Sequence, residues 1–414
     1  MHSLEEALEQ ILRAARPLDA VQTPLLECLG AYLAEDVFAD IDIPPFDNSA
    51  VDGYAVRSAD TAGAGPNSPV MLREIAEILA GGAPEAVVTS GTACRIMTGA
   101  PMPPGADAVV MIEDVTCEAR EGHAELQVAI LDAAEPEQHV RRAGDDLRVG
   151  TRVLECGQRI RPAEIAMLAT MGRATVSVYR RPRVAVFSTG DELVDIADGG
   201  IPPIGKIRDS NRYTLAAMVE DAGAVVHSIG QLPDSPEATE AALRAASDPS
   251  TGADVILTAG GVSMGDRDFV RPAVERLGEL ALWKVAIKPG KPLAFGRIGK
   301  ALMFGLPGNP ISAIVTFELF ARPAMKQMAG ADRSSMFRNR VTARATTKVP
   351  HSPGRREFIR ANTAWKGDHF ETCPSGKQGS GMLASAVASN SLLIVPEDSA
   401  GVVEGDVVEV LMLD

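Results

Sequence analysis

The chain has 414 residues, with 40 Lys plus Arg against 55 Asp plus Glu and a formal net charge of −15. That length predicts several domains of ~100–200 residues each, and 46% hydrophobic with 23% charged residues excludes wholesale disorder. The acidic balance excludes broad binding to nucleic acid or to an anionic membrane, since both would repel it, yet leaves room for a small anion held by local cations.

The cysteines Cys28, Cys94, Cys117, Cys156 and Cys373 are scattered and form no CxxC pair. They read as reduced thiols rather than a disulfide framework or a zinc knuckle. The opening Met-His-Ser-Leu-Glu-Glu has neither a basic nor an apolar leader segment. No stretch reaches the ~20 apolar residues of a membrane span. The expectation is a soluble, cytoplasmic, multidomain protein.

In chain order, Ser3–Pro17 predicts a helix: Ser3 and Glu6 form an S-x-x-E capping box, and Leu4, Leu8, Ile11 and Leu12 recur at helical spacing. A Pro/Asp-rich stretch, 40–49, fits neither period. Short strands such as 108–112 and 126–130 follow, to about Val140, and then a short helix over Pro162–Met171, stopped by Gly172. From Thr175 the rhythm becomes strand, loop, helix. Strands are expected at 184–187, 224–229 and 254–258, with helices starting near Asp209, over 237–246, and ending at Gly278. Such alternation predicts right-handed βαβ units and a parallel sheet. A helix over 311–328 closes this region, and 341–414 reads as a small β-barrel or sandwich.

The chemistry-bearing segments of the α/β region all follow strands: Ser188-Thr-Gly-Asp-Glu192, Leu232-Pro-Asp-Ser235, Ala259-Gly-Gly-Val-Ser-Met-Gly-Asp-Arg-Asp268 and Leu306-Pro-Gly-Asn-Pro310. Ligands of open parallel sheets sit at the carboxyl ends of the strands, so these loops are expected to share one crevice. Gly260 and Gly261 would let backbone N–H groups approach an anion. The loop is not a P-loop, because Asp266-Arg267 stands where Lys-Ser/Thr is needed. Asp191, Glu192, Asp234, Asp266 and Asp268 would repel one another and a phosphate unless a hard cation, Mg²⁺, lay between them. Asp234 reads equally well as a helix cap before Pro236. Ile287-Lys-Pro-Gly-Lys-Pro-Leu293 sets Lys288 and Lys291 on a stiff backbone suited to one anion, or to a solvated turn. His spacing gives no zinc site, and no Ser sits in a G-x-S-x-G elbow.

Six strings stand in one order: Phe46-Asp-Asn-Ser-Ala-Val-Asp-Gly-Tyr-Ala55, Ile96-Met-Thr-Gly-Ala-Pro101, Ser188-Thr-Gly-Asp-Glu-Leu193, Gly260-Gly-Val-Ser-Met-Gly-Asp266, Lys288-Pro-Gly-Lys-Pro292 and Leu306-Pro-Gly-Asn-Pro310. The set resembles the molybdopterin molybdenumtransferases, the bacterial MoeA proteins and the E domain of gephyrin. The resemblance implies an α/β and β multidomain fold of four parts. These are an elongated domain from 1–41 and 141–174, an inserted β-rich domain over 42–140, an α/β molybdopterin-binding domain over 175–327 and a β domain over 328–414.

The resemblance also implies a homodimer with its active cleft across the subunits, and insertion of molybdate into adenylated molybdopterin with release of AMP. On that basis Asp52, Thr98, Asp234, Lys288 and Lys291 would be catalytic. Ser188, Gly260, Gly261, Ser263, Pro307, Gly308, Asn309 and Arg355 would bind substrate, and Asp191, Glu192 and Asp268 would hold Mg²⁺, with molybdate as co-substrate. The substrate could be delivered through contact with a molybdopterin adenylyltransferase. That adenylyltransferase activity is itself the nearest alternative reading, and a non-catalytic scaffold of the same fold is the other. Val51, Ala259 and Arg267 depart from the usual family string, and none removes a charged site residue.

Overall fold

The structure is a computed structural model and describes residues 1–118, 126–250, 252–262 and 268–413. These fall into two compact units, Met1–Glu35 with Cys156–Asp414, and Asp36–Glu155.

The centre of the first unit is a six-stranded sheet in the order 225–232, 183–189, 255–259, 301–306, 294–298, 279–282. The first four strands run parallel, 294–298 runs antiparallel to them, and 279–282 is antiparallel to 294–298. Both faces are apolar. Val184, Val186, Leu257 and Phe304 point to one side, against Leu215 and Val219 of the helix Asn211–Asp221 and Phe317 and Phe320. Ala185, Ile256 and Met303 point to the other, against Leu243, Ala273 and Val274 of the helices Pro236–Ala246 and Val270–Leu277. Strand side chains alternate with period two, so a run apolar at every position is buried on both faces and requires helices on both.

The expected single helix over 311–328 is one helical run in three parts: α over Pro310–Thr316, π over Phe317–Ala321 and α over Arg322–Met328. The N-terminal helix spans Leu4–Ala14 and carries its capping box: Glu6 N–H donates to Ser3 Oγ at 3.1 Å, and Ser3 N–H to Glu6 Oε2 at 2.9 Å. Beyond the helical run, strand Arg356–Trp365 pairs with both 370–374 and 391–395, which closes a barrel through 340–345 and 407–412. Ile287–Lys288 adds to the start of that strand, with Lys288 opposite Glu357.

The second unit is built on a six-stranded sheet in the order 108–111, 53–56, 92–96, 70–78, 127–130, 115–118. Alternation again divides its core: Tyr54 and Val56 belong to one cluster, Ala55 to the other. The chain enters and leaves this unit side by side, with Val37–Phe38 paired to 152–154 and Asn48–Ser49 to 140–141. That pairing holds both connecting segments in the second unit, whose limits lie at 36 and 155.

Candidate functional site

A cavity of about 740 Å³ opens where the four parallel strands end. Thr189 ends strand 183–189 and Gly190 and Glu192 follow it, Asp234 follows 225–232, Gly260, Gly261 and Asp268 follow 255–259, and Pro307, Gly308 and Asn309 follow 301–306. The loops expected to converge do so, for the reason that parallel strands deliver all their exits to one edge.

The glycine pair forms the floor. Gly260 has φ +100° and Gly261 φ +70°, and a Cβ at Gly260 would stand 2.5 Å from Thr189 Oγ1. At Gly261 it would stand 2.6 Å from Val270 Cγ2. Both positions are therefore closed to other residues on grounds of conformation and of space. Gly260 N–H donates to Leu306 O at 2.9 Å, tying the third and fourth loops together. Asn211 Nδ2 donates to Gly308 O at 2.6 Å and fixes the fourth loop from behind. Ser263 and Asp266 lie outside the described residues.

Two expectations about carboxylates resolve here. Ser235, not Asp234, caps the helix Pro236–Ala246, accepting from Ala238 N–H at 3.3 Å. Asp234 is thereby released to the cavity wall, where its N–H donates to Asp191 Oδ1 at 3.1 Å and its Oδ2 accepts from Asp191 N–H at 3.4 Å. Asp191 links the first and second loops and is absent from the lining. Glu192 turns its carboxylate back over Gly190.

Glu192, Asp234 and Asp268 thus present hard oxygen donors of the kind Mg²⁺ takes. Among the described residues no three His, Cys, Asp or Glu side chains form a ready-made metal cage. Such a donor set suits an ion that keeps waters and completes its shell with phosphate oxygens of a bound molecule.

Ser188 sits elsewhere than expected. It is fully buried and its hydroxyl donates to the equally buried Asp209, 3.1 Å from Arg212 Nε. Its neighbour Thr189 faces the cavity instead.

The lysine string lines a second cavity of about 380 Å³, which holds Lys288, Lys291 and Arg355 and shares Pro292 with the first. Lys288 Nζ lies 2.9 Å from Glu357 Oε1, a consequence of the pairing of Ile287–Lys288 with the barrel strand. Glu357 and the lining residues Gln378 and Ser380 were not readable from local sequence.

In the second unit, Asp52 and Thr98, 46 residues apart in sequence, are joined. Asp52 Oδ1 accepts from both the backbone N–H and the hydroxyl of Thr98, each at 2.7 Å. Those bonds, the backbone one foremost, hold the Asp52 carboxyl below its ordinary pKa, so it is a firmly ionised, exposed acceptor.

The first unit's parallel sheet, glycine floor and adjoining acidic and cationic cavities define an α/β domain with its candidate site at the strand ends. The comparisons are specific. Residues 2–172 match the MoeA N-terminal region (domain I and II), 185–327 the "Probable molybdopterin binding domain", and 342–413 the MoeA C-terminal region (domain IV).

The chain is 40% identical over 423 residues to molybdopterin molybdenumtransferase 2 of Mycobacterium tuberculosis, covering 99% of each chain. It is 35% identical over 412 residues to the molybdopterin molybdenumtransferase of Haemophilus influenzae, covering 99% of this chain and 98% of that one. The solved molybdopterin biosynthesis moeA protein of Pyrococcus horikoshii superposes with TM-score 0.83 at 33% identity over the whole of both chains. The chain belongs to the molybdopterin molybdenumtransferase family, enzymes of molybdenum cofactor biosynthesis. Among the described residues no helix is long and apolar enough to cross a membrane.

Proposed function

We propose that the enzyme inserts molybdate into adenylated molybdopterin with release of AMP, in a Mg²⁺-dependent reaction. The observation that carries this reading is the pair of adjoining cavities, one floored by Gly260 and Gly261 beneath Glu192, Asp234 and Asp268, the other lined by Lys288, Lys291 and Arg355. An extended ligand with a pyrophosphate at its middle and anionic groups beyond it matches that sequence of environments. Molybdate, as substrate, belongs with the cations.

In this reading Gly260 and Gly261 supply backbone donors to a phosphate without a side chain in the way. Glu192, Asp234 and Asp268 would hold Mg²⁺, which would neutralise phosphate charge as the anhydride breaks. Lys291 and Arg355 neutralise the incoming oxyanion, while Glu357 keeps Lys288 in place. The working form is proposed to be a homodimer, with Asp52 and Thr98 serving the catalytic centre of the partner chain and with substrate handed over by a molybdopterin adenylyltransferase in the cytoplasm.

The test is AMP release by Asp191→Ala combined with Glu192→Ala, which cuts both the loop tie and a metal donor. Turnover is expected to vanish at any Mg²⁺ concentration while the helical far-UV signal is retained. Undiminished Mg²⁺-dependent release would remove the proposed metal site.

A further inference from the structure

On the face of the first unit where Arg322–Met328 meets the 334–339 segment lies a third cavity of about 330 Å³. It shares no lining residue with the other two. Arg322 and Lys326 stand 12 to 16 residues beyond Pro310, which lines the main cavity, so along the helical run the two places are roughly 18–24 Å apart.

Four cations face this cavity: Arg159, Arg322, Lys326 and Arg338. Two carboxylates answer them. Asp221 Oδ2 lies 2.7 Å from both Arg322 Nη1 and Arg338 Nη2, and Glu318 Oε2 lies 3.1 Å from Arg338 Nε. A third acid, Asp332, is engaged by Ser334 Oγ at 2.9 Å and Ser335 N–H at 2.7 Å.

Among the described residues, neither Arg159 nor Lys326 has a carboxylate within ion-pair distance. Lys326 is the more unusual: it is 9% exposed, its amine makes no hydrogen bond among the described residues, and it sits 5.6 Å from the Tyr32 ring centroid. A buried ammonium without a carboxylate partner is costly, and three arginines near it make it costlier. Burial first, and then Arg322, Arg159 and Arg338, pull its pKa down to about 8, against an opposing pull from Asp221. A cavity that spends stability on clustered positive charge, ringed by serine and asparagine donors, is arranged for something negative.

We propose that this cavity is a binding site for a small tetrahedral oxyanion of the phosphate and sulfate class, gripped by Arg159 and Lys326 and separate from the catalytic cleft. Arg322 and Arg338 have donors to spare after meeting Asp221 and Glu318, since each guanidinium carries five N–H groups. Asn339 and Ser335 complete a polar shell of the right size for one anion and its waters.

Equilibrium dialysis of the full chain against radiolabelled inorganic phosphate, with chloride holding ionic strength constant, tests this. Two variants are compared: Arg159→Gln, at an exposed position, and Lys326→Met, which keeps the buried stem. Wild type is expected to bind phosphate, and each variant to bind it at least about tenfold more weakly, as loss of one charge-assisted contact implies. Arg159→Gln should leave AMP release unchanged. Absence of phosphate binding by wild type, or wild-type affinity in either variant, would overturn the proposal. Melting adds an independent sign. In chloride alone, Lys326→Met should melt no lower than wild type, and phosphate should raise the melting temperature of wild type only. A lower melting temperature for the variant, with the phosphate effect retained, would mean that Lys326 is structural.

Discussion

Lys326 and Asp52 show how local geometry sets charge in opposite senses. Asp52 gains two donors from Thr98 and is held ionised, whereas Lys326 has no carboxylate within ion-pair distance among the described residues and is pushed toward neutrality, to about 8. The linkage for Lys326 has a definite sign. Its folded pKa lies below the unfolded value, so the unfolded chain holds this proton more tightly. The resulting destabilisation is fully present below pH 8 and is relieved as pH rises toward ~10.4, the ordinary lysine value. Arg159, Arg322, Arg338, Asp221 and Tyr32 are the charged and titratable groups that face the amine. Urea unfolding should therefore show Lys326→Met more stable than wild type at neutral pH, with the gap narrowing near pH ~10. A gap that is constant or widens with pH would contradict the assignment.

At the level of elements, much was legible because the signals were local. The all-apolar strands predicted a sheet covered on both faces, and Val255–Ala259 followed by Gly260 and Gly261 marked the cavity floor. What escaped was decided elsewhere. Ser188 and Thr189 are neighbours on one strand and point opposite ways, so only the packing of Asp209 beneath the sheet determines which of them meets a ligand. Lys288 looked free in sequence, and its tie to Glu357 arises from a strand pairing 69 positions away in the chain. The 311–328 helix was readable as helix, but not its π turn at Phe317–Ala321, because every residue of that turn is buried and leaves no exposed face to mark a change of period. The barrel gives a stability prediction. Leu393 is fully buried on 391–395, the strand that pairs with 356–365 and helps close the sheet. Leu393→Ala should cost about 2–5 kcal/mol in equilibrium unfolding, and a loss below about 1 kcal/mol would mean that the barrel core relaxes around the cavity.

For the molecule as a whole, the first unit supplies cavities, glycine floor and cations, and the second supplies the Asp52–Thr98 pair. The proposed homodimer gives these a shared purpose that can be tested by mixing subunits. Asp52→Asn and Glu192→Gln should each be inactive alone. If Asp52 serves the partner's centre, their heterodimers contain one centre with both defects and one with neither. After exchange, activity should return to about a quarter of wild type. No recovery would place Asp52 and Glu192 in the same chain's centre, or Asp52 outside it.

The most direct test of the central claim is AMP release from adenylated molybdopterin by the purified enzyme, with Mg²⁺ and molybdate each supplied or withheld. Release that needs both, coupled to activation of an apo-molybdoenzyme by the product, is the result expected of a molybdate-inserting enzyme with Glu192, Asp234 and Asp268 at its metal and Lys291 and Arg355 at its oxyanion. AMP transfer from ATP onto molybdopterin, with no release from the adenylated form, would contradict it and make the α/β domain an adenylyltransferase.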